Sequence, residues 1–171
     1  MAPVRRWAAG RDRLMGSEQA HPEPLLRFIA RFDRRQYWLA HEELEELWLQ
    51  DRQDFFKGLI QLAAAFVHIE RDNWRGALRL LRTGLEYMEG APARLHGFDV
   101  EGVRRRARAA RQRVAELAAG DRGGFDAALF FEFAPLFAGA VRDDLVDDEP
   151  LPYRVRRYEE GYRAVRGRSE E

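Results

Sequence analysis

Cysteine is absent from the 171 residues. Disulfides, thiolate zinc sites, iron–sulfur clusters and cysteine nucleophiles are therefore excluded. Hydroxyls are almost as scarce. Ser17, Ser169 and Thr83 are the whole supply, so a hydroxyl nucleophile has three candidates, two of them in the tails. Lysine occurs once, as Lys57, and arginine makes up the rest of the 29 basic residues. Long apolar runs are missing too. The longest, Leu62 to Val67, falls far below the roughly 20 residues of a membrane span. Nothing before Pro24 resembles the apolar core of a signal peptide. Together these absences predict a cytoplasmic protein that does not enter membranes. Acidic residues also number 29, so the net charge is zero. That argues against a generally basic nucleic-acid binder and leaves room for a local patch.

What is present is helical periodicity, over a length that suits one domain with tails. Residues 1–23 are polar and carry no sustained period, which reads as a flexible arm. Pro22 and Pro24 bracket a helix start, and Leu25, Leu26, Phe28, Ile29 and Phe32 follow at helical spacing. After the polar break Asp33 to Gln36, a second helix is predicted over Tyr37–Leu49. A third, Phe55–Glu70, is apolar nearly all round and so reads as the central buried helix. Asp72 and Asn73 mark a turn and cap. A fourth helix, Trp74–Met88, stops at Gly90 and Pro92. A fifth follows Asp99, its apolar stripe running Val103, Ala107, Ala110, Val114 and Leu117. The domain proper is expected over 24–119. An aromatic-rich docking segment is expected at 120–141, within which Ala127 to Phe137 could be a short strand or a docking helix, and a charged tail follows at 142–171.

Two segments superpose at an offset of 37 residues. Leu25, Ile29 and Phe32 fall on Leu62, Phe66 and Ile69, and Tyr37, Ala40 and Leu44 fall on Trp74, Ala77 and Leu81. The period is near that of tetratricopeptide hairpins. Two copies are too few for a solenoid. The expected architecture is thus all-α: a compact bundle of two tetratricopeptide-like hairpins, a fifth helix and a C-terminal extension.

The chemistry-bearing residues concentrate in the second and third helices. His41, Glu45 and Trp48 share a face at i, i+4 and i+7. Gln61 and His68 share another, separated by Ala64 and Ala65, which leave room for side chains of a facing helix. One reading is a divalent-metal site, with His41, Glu45 and His68 as ligands and Glu42 as general base. The metalloprotease pattern His-Glu-x-x-His fails here, because Glu45 stands where its second histidine would be. A second reading is a buried hydrogen-bond network that fixes helix register. A third is coincidence on a solvated face. The network is the favoured expectation, with no cofactor. Trp48 is expected to be largely buried, and Gly58 to sit where helices pack tightly.

The arginine row from Arg104 to Arg113 has two readings as well: a phosphate or RNA contact, or a solvated face paired with Glu101, Glu116 or the acidic run at 143–149. The second is preferred, since net charge is zero. Tyr153, Tyr158 and Tyr162 among Arg154, Arg156, Arg157 and Arg163 could stack on bases or cover an apolar patch. Coverage or disorder is preferred.

Read in order, His41-Glu42-x-x-Glu45-x-x-Trp48, Gly58-Leu59-Ile60-Gln61-Leu62-Ala63-Ala64, His68 and Asn73-x-x-Gly76-Ala77 form a specific series. It resembles the family "domain of unknown function 309" over about residues 25 to 90. The resemblance implies a small all-helical bacterial or archaeal domain with no settled activity. It implies that His41, Glu42, Glu45, Gln61 and His68 are its recurring polar positions. The functional expectation is a non-enzymatic interaction or scaffold module, with a protein partner or a homo-oligomer. The alternative is the metal-dependent, hydrolase-like site.

Overall fold

The computed structural model describes residues 21–121, 127–129 and 131–146. Among these residues, five α-helices carry the fold: α1 (Glu23–Asp33), α2 (Tyr37–Gln50), α3 (Asp54–Glu70), α4 (Trp74–Met88) and α5 (Val100–Ala118). Each packs on its neighbour in sequence, and α3 lies between α2 and α4. The all-α expectation holds, and the predicted helix ends agree to within about one residue. Among the described residues, no helix is long and apolar enough to cross a membrane.

The 37-residue offset is visible in the turns. The α1–α2 turn has Arg35 in the left-handed region at φ 64°, and the α3–α4 turn has Asp72 there at φ 54°. These positions are 37 apart. In each turn the last helical carbonyls are closed by the same pair of bonds. The Gln36 amide donates to the Arg31 carbonyl and Arg35 to Phe32; likewise Asn73 donates to His68 and Asp72 to Ile69. This is the Schellman pattern, which satisfies carbonyls the helix would otherwise strand. A side-chain bond reinforces each turn. Arg31 Nη1 donates to Gln36 Oε1 at 2.9 Å, and at the equivalent positions Asn73 Nδ2 meets His68 Nδ1 at 2.9 Å. Ala40 and Ala77, also equivalent, are both fully buried.

Helices α4 and α5 begin alike. Asn73 and Asp99 cap them, each accepting the amide of a glycine three residues on, Gly76 and Gly102, at 3.0 Å. A β-carbon on Gly76 would stand 2.8 Å from Asn73 Nδ2 and 2.9 Å from His68 Nδ1. Glycine at that position is what lets the cap and the histidine meet.

Between α4 and α5 lies a two-residue hairpin absent from the sequence reading, Arg94–Leu95 (β1) against Phe98–Asp99 (β2). Its turn residues, His96 and Gly97, both have positive φ, as a two-residue hairpin of the favoured hand requires. Strands this short leave no period to detect.

Among the described residues, the segment after α5 is neither a regular strand nor an α-helix. It makes short 3-10 turns at Ala127–Leu129, Ala134–Leu136 and Asp143–Leu145, and Phe137 bridges to Phe98. Pro135 and the alternation of buried and exposed residues suit such a path. Phe131, Phe133 and Phe137 are buried. The Phe133 ring stands 4.6 Å from that of Phe32 and 5.2 Å from that of Phe28. The end of α1 fastens this segment: Asp33 Oδ1 accepts the Phe133 amide at 2.6 Å and Oδ2 the Ala134 amide at 2.9 Å. Burial, the largest cause, pushes the Asp33 carboxyl up to about 6, although both amide bonds oppose the shift. Residues 1–20 and the arginine–tyrosine tail beyond 146 lie outside the described residues.

Candidate interaction face

Helix α3 is buried along almost its whole length. Away from its two ends, the half-exposed positions are Lys57, Gln61, Ala64 and His68. They fall at i, i+4, i+7 and i+11, one narrow stripe. Three of the five polar motif positions flank or lie on this stripe, and they do so as local pairs.

On the α2 side, Lys57 Nζ lies 4.4 Å from the centre of the Trp48 indole, with the Arg52 guanidinium 4.3 Å away on the same ring. Trp48 is half-buried against the core, less enclosed than the sequence suggested. The short link Asp51–Gln53 makes α2 and α3 antiparallel. Two turns beyond the Trp48–Lys57 contact, about 10 Å along each helix, His41 therefore stands level with Ala64. His41 Nδ1 is shielded from water and lies 3.8 Å from Glu45 Oε2. Its ring stacks on Trp38, with centroids 5.4 Å apart and planes at 10°. Glu42 is exposed.

On the α4 side, Thr83 Oγ1 lies 3.1 Å from Gln61 Oε1 and 3.2 Å from the Leu80 carbonyl, donating its one proton between them. His68 is held in its own turn by Asn73. The amide of Asn73 donates, so the His68 ring carries its proton on Nε2. Burial first, then the nearby charges of Arg71 and Arg79, lower the His68 pKa below the ordinary histidine range. Tight packing of α3 on α4 makes this arrangement possible. A β-carbon on Gly58 would stand 2.9 Å from Met88 Cγ and 3.1 Å from the Gly84 carbonyl oxygen, so Gly58 sits at a close helix crossing as the sequence predicts.

His41, Gln61 and His68 thus border one stripe, but the structure does not bring His41, Glu45 and His68 to one point. His68 turns to Asn73, Gln61 to Thr83, and His41 to Trp38 and Glu45. Among the described residues, no group of three or more histidine, aspartate or glutamate side chains stands close enough to hold a metal ion. Nor do the five polar residues form a closed buried network; they sit half-exposed or, for Glu42, exposed.

A further tie that the sequence does not predict lies behind α2. Glu43 binds α2 to α1, accepting from Arg27 Nε at 2.8 Å and lying 3.7 Å from Arg31 Nε. Its signal was present as the i, i+4 spacing of the two arginines, but the partner is on another helix. The arginine row of α5 pairs as expected with Glu101 and Glu116, through Arg104, Arg108 and Arg113. Arg104 also donates to the Met88 and Ala91 carbonyls, closing the end of α4.

The surface of α2 differs from the rest. The two exposed large hydrophobics among the described residues, Trp38 (47% exposed) and Leu49 (57%), both belong to it. They stand eleven residues apart with Glu42 and Glu45 between them, and α2 contains no lysine or arginine.

Residues 25–80, from α1 into α4, match the family model described as "Domain of unknown function (DUF309)", in agreement with the motif series. The "Uncharacterized protein YpuF" of Bacillus subtilis (strain 168) is 34% identical over 74 residues, 40% of this chain and 42% of that protein. The matched region therefore spans less than half of that relative. No solved structure matches.

Proposed function

We propose that this chain is a cytoplasmic helical interaction module, and that its contact face is the stripe of α3 together with the flanking surfaces of α2 and α4. The exposed Trp38 and Leu49 on one acidic helix carry this reading. Exposed aromatic residues on a polar surround are what protein contacts use as anchors. The Trp38 indole is already stacked on His41, so little side-chain freedom remains to be lost on binding. The two equivalent hairpins support the reading by analogy with tetratricopeptide hairpins, an analogy of fold alone. The cysteine-free composition supports the location.

The test is site-specific photo-crosslinking in cells, with the reactive residue at position 38 and, as control, at the exposed Arg106 on α5. Discrete adducts from position 38 and none from 106 are expected. Identical patterns from both positions, or no adduct from 38, would refute the reading.

A further inference from the structure

The charges on either side of α3 are opposite. Helix α2 presents Glu42, Glu45 and Glu46 with no basic residue. Helix α4 presents Arg75, Arg79 and Arg82, all exposed, with Glu86 as its one acid. The 37-residue offset sets them in register: Trp38, Glu42 and Glu45 of the first hairpin correspond to Arg75, Arg79 and Arg82 of the second. The helices run in the same direction, since both are antiparallel to α3. The antiparallel contacts of α4 with α3 are Gln61–Thr83 and His68 beside Gly76.

We infer that the occupant of this face is a second copy of the chain, with the twofold axis parallel to α3. That axis lays each α2 along the partner's α4 with equal levels matched. Glu42 then meets Arg79 of the partner subunit, and Glu45 meets Arg82 of the partner subunit. The face of Trp38 turned away from His41 meets the guanidinium of the partner's Arg75, a stacked cation–π arrangement. A twofold perpendicular to α3 in the same plane would set α2 on α2, acid against acid, and is disfavoured. Both contacts form at once, so the assembly closes as a dimer and does not grow. Small Ala64 at the centre of the stripe lets the two α3 helices approach.

The inference rests on the proposed contact face and adds its occupant. The available area is modest. A helix of 14 residues is about 20 Å long, and three helices span about 20–30 Å. That gives roughly 1,000 Å² in total from both copies, the lower edge of stable interfaces. The dimer is accordingly reversible and salt-sensitive.

The experiment is sedimentation equilibrium on the full chain over a micromolar-to-millimolar series, with circular dichroism to confirm that each variant is folded. Wild type is expected to move from 19.9 kDa to twice that mass, and to weaken at least tenfold in roughly 1 M salt, where screening is nearly complete. The variants Glu42→Arg/Glu45→Arg and Arg79→Glu/Arg82→Glu should each stay monomeric, because each sets like charges face to face. Mixing the two should restore a closed dimer, since both of its contacts are then complementary. Wild type that remains a monomer overturns the inference, as does a dimer that neither variant weakens. So does a mixture that grows beyond two copies. If wild type is monomeric, the crosslinker at position 38 separates the failures. Adducts of a mass other than a second copy leave the contact face standing and remove only its occupant. No adduct removes both.

Discussion

Asp33→Asn isolates the link between the two ends of the described fold. The carboxylate of Asp33 closes a loop of 100 residues by holding the amides of Phe133 and Ala134. Phe133 is fully buried and Ala134 is exposed, so the Phe133 amide is the one that water cannot rescue. The titration of the carboxyl carries a further effect of definite sign. Its folded pKa is about 6 against an ordinary 3.8, so the folded state holds the proton more tightly than the unfolded state. The stability this confers is fully present below pH 3.8 and is lost as pH rises through 6. Two units correspond to about 3 kcal/mol at most, and partial hydration of the group reduces that to about 2. Asparagine keeps one acceptor and abolishes the titration. The difference in unfolding free energy, wild type minus Asp33→Asn, should therefore fall by about 2 kcal/mol between pH 4 and pH 7. Urea unfolding followed by tryptophan fluorescence at several pH values measures it. A difference independent of pH would refute the claim that burial governs this carboxyl.

The remaining outcomes follow from packing, capping and the paired turn. Phe133→Ala should cost about 3–5 kcal/mol in chemical denaturation, since it empties a ring-lined site; a loss below 1 kcal/mol would mean that the C-terminal segment is not part of the core. Gly58→Ala should lower the melting temperature despite alanine's better helix propensity of about 1 kcal/mol, because the added carbon meets the Gly84 carbonyl; a rise in melting temperature would show that the crossing can open freely. Asn73→Ala should cost about 1 kcal/mol through loss of the α4 cap. His68→Ala should be coupled to it by at least about 0.5 kcal/mol in a double-mutant cycle. Strict additivity would contradict the paired turn. A chelator should leave both variants and wild type unchanged.

The local parts of this fold were readable in the sequence, and the long-range parts were not. The α4 boundaries follow from Asn73 as cap and from Gly90 and Pro92 as stops, all signals within a few residues of the helix. The hairpin repeat follows from a regular offset of apolar residues. Gln61 and His68 have partners that the sequence does not predict. Spacing puts both side chains on one face of α3, yet says nothing of which neighbouring helix they turn to. Thr83 and Asn73 capture them because α4 is held closer by Gly58 and Gly84. By sequence, Asp33 reads as part of a polar break between helices. Its role depends on Phe133, a hundred residues away, where no periodicity reaches.

The return of Phe131 and Phe133 to the rings of Phe28 and Phe32 has a consequence for the growth of the architecture. Hairpins that stack by repetition expose an apolar flank at each end of the pile, onto which another hairpin could fit. Here α5 covers the flank of α4, and the phenylalanine segment runs from α1 to α5, its rings meeting Phe66 of α3 and Phe98 on the way. It is a strap across both hairpins, held at Asp33 on one side and against α5 on the other. Duplicating the 37-residue unit between them would move those two anchors apart, so the strap fixes the number of hairpins at two.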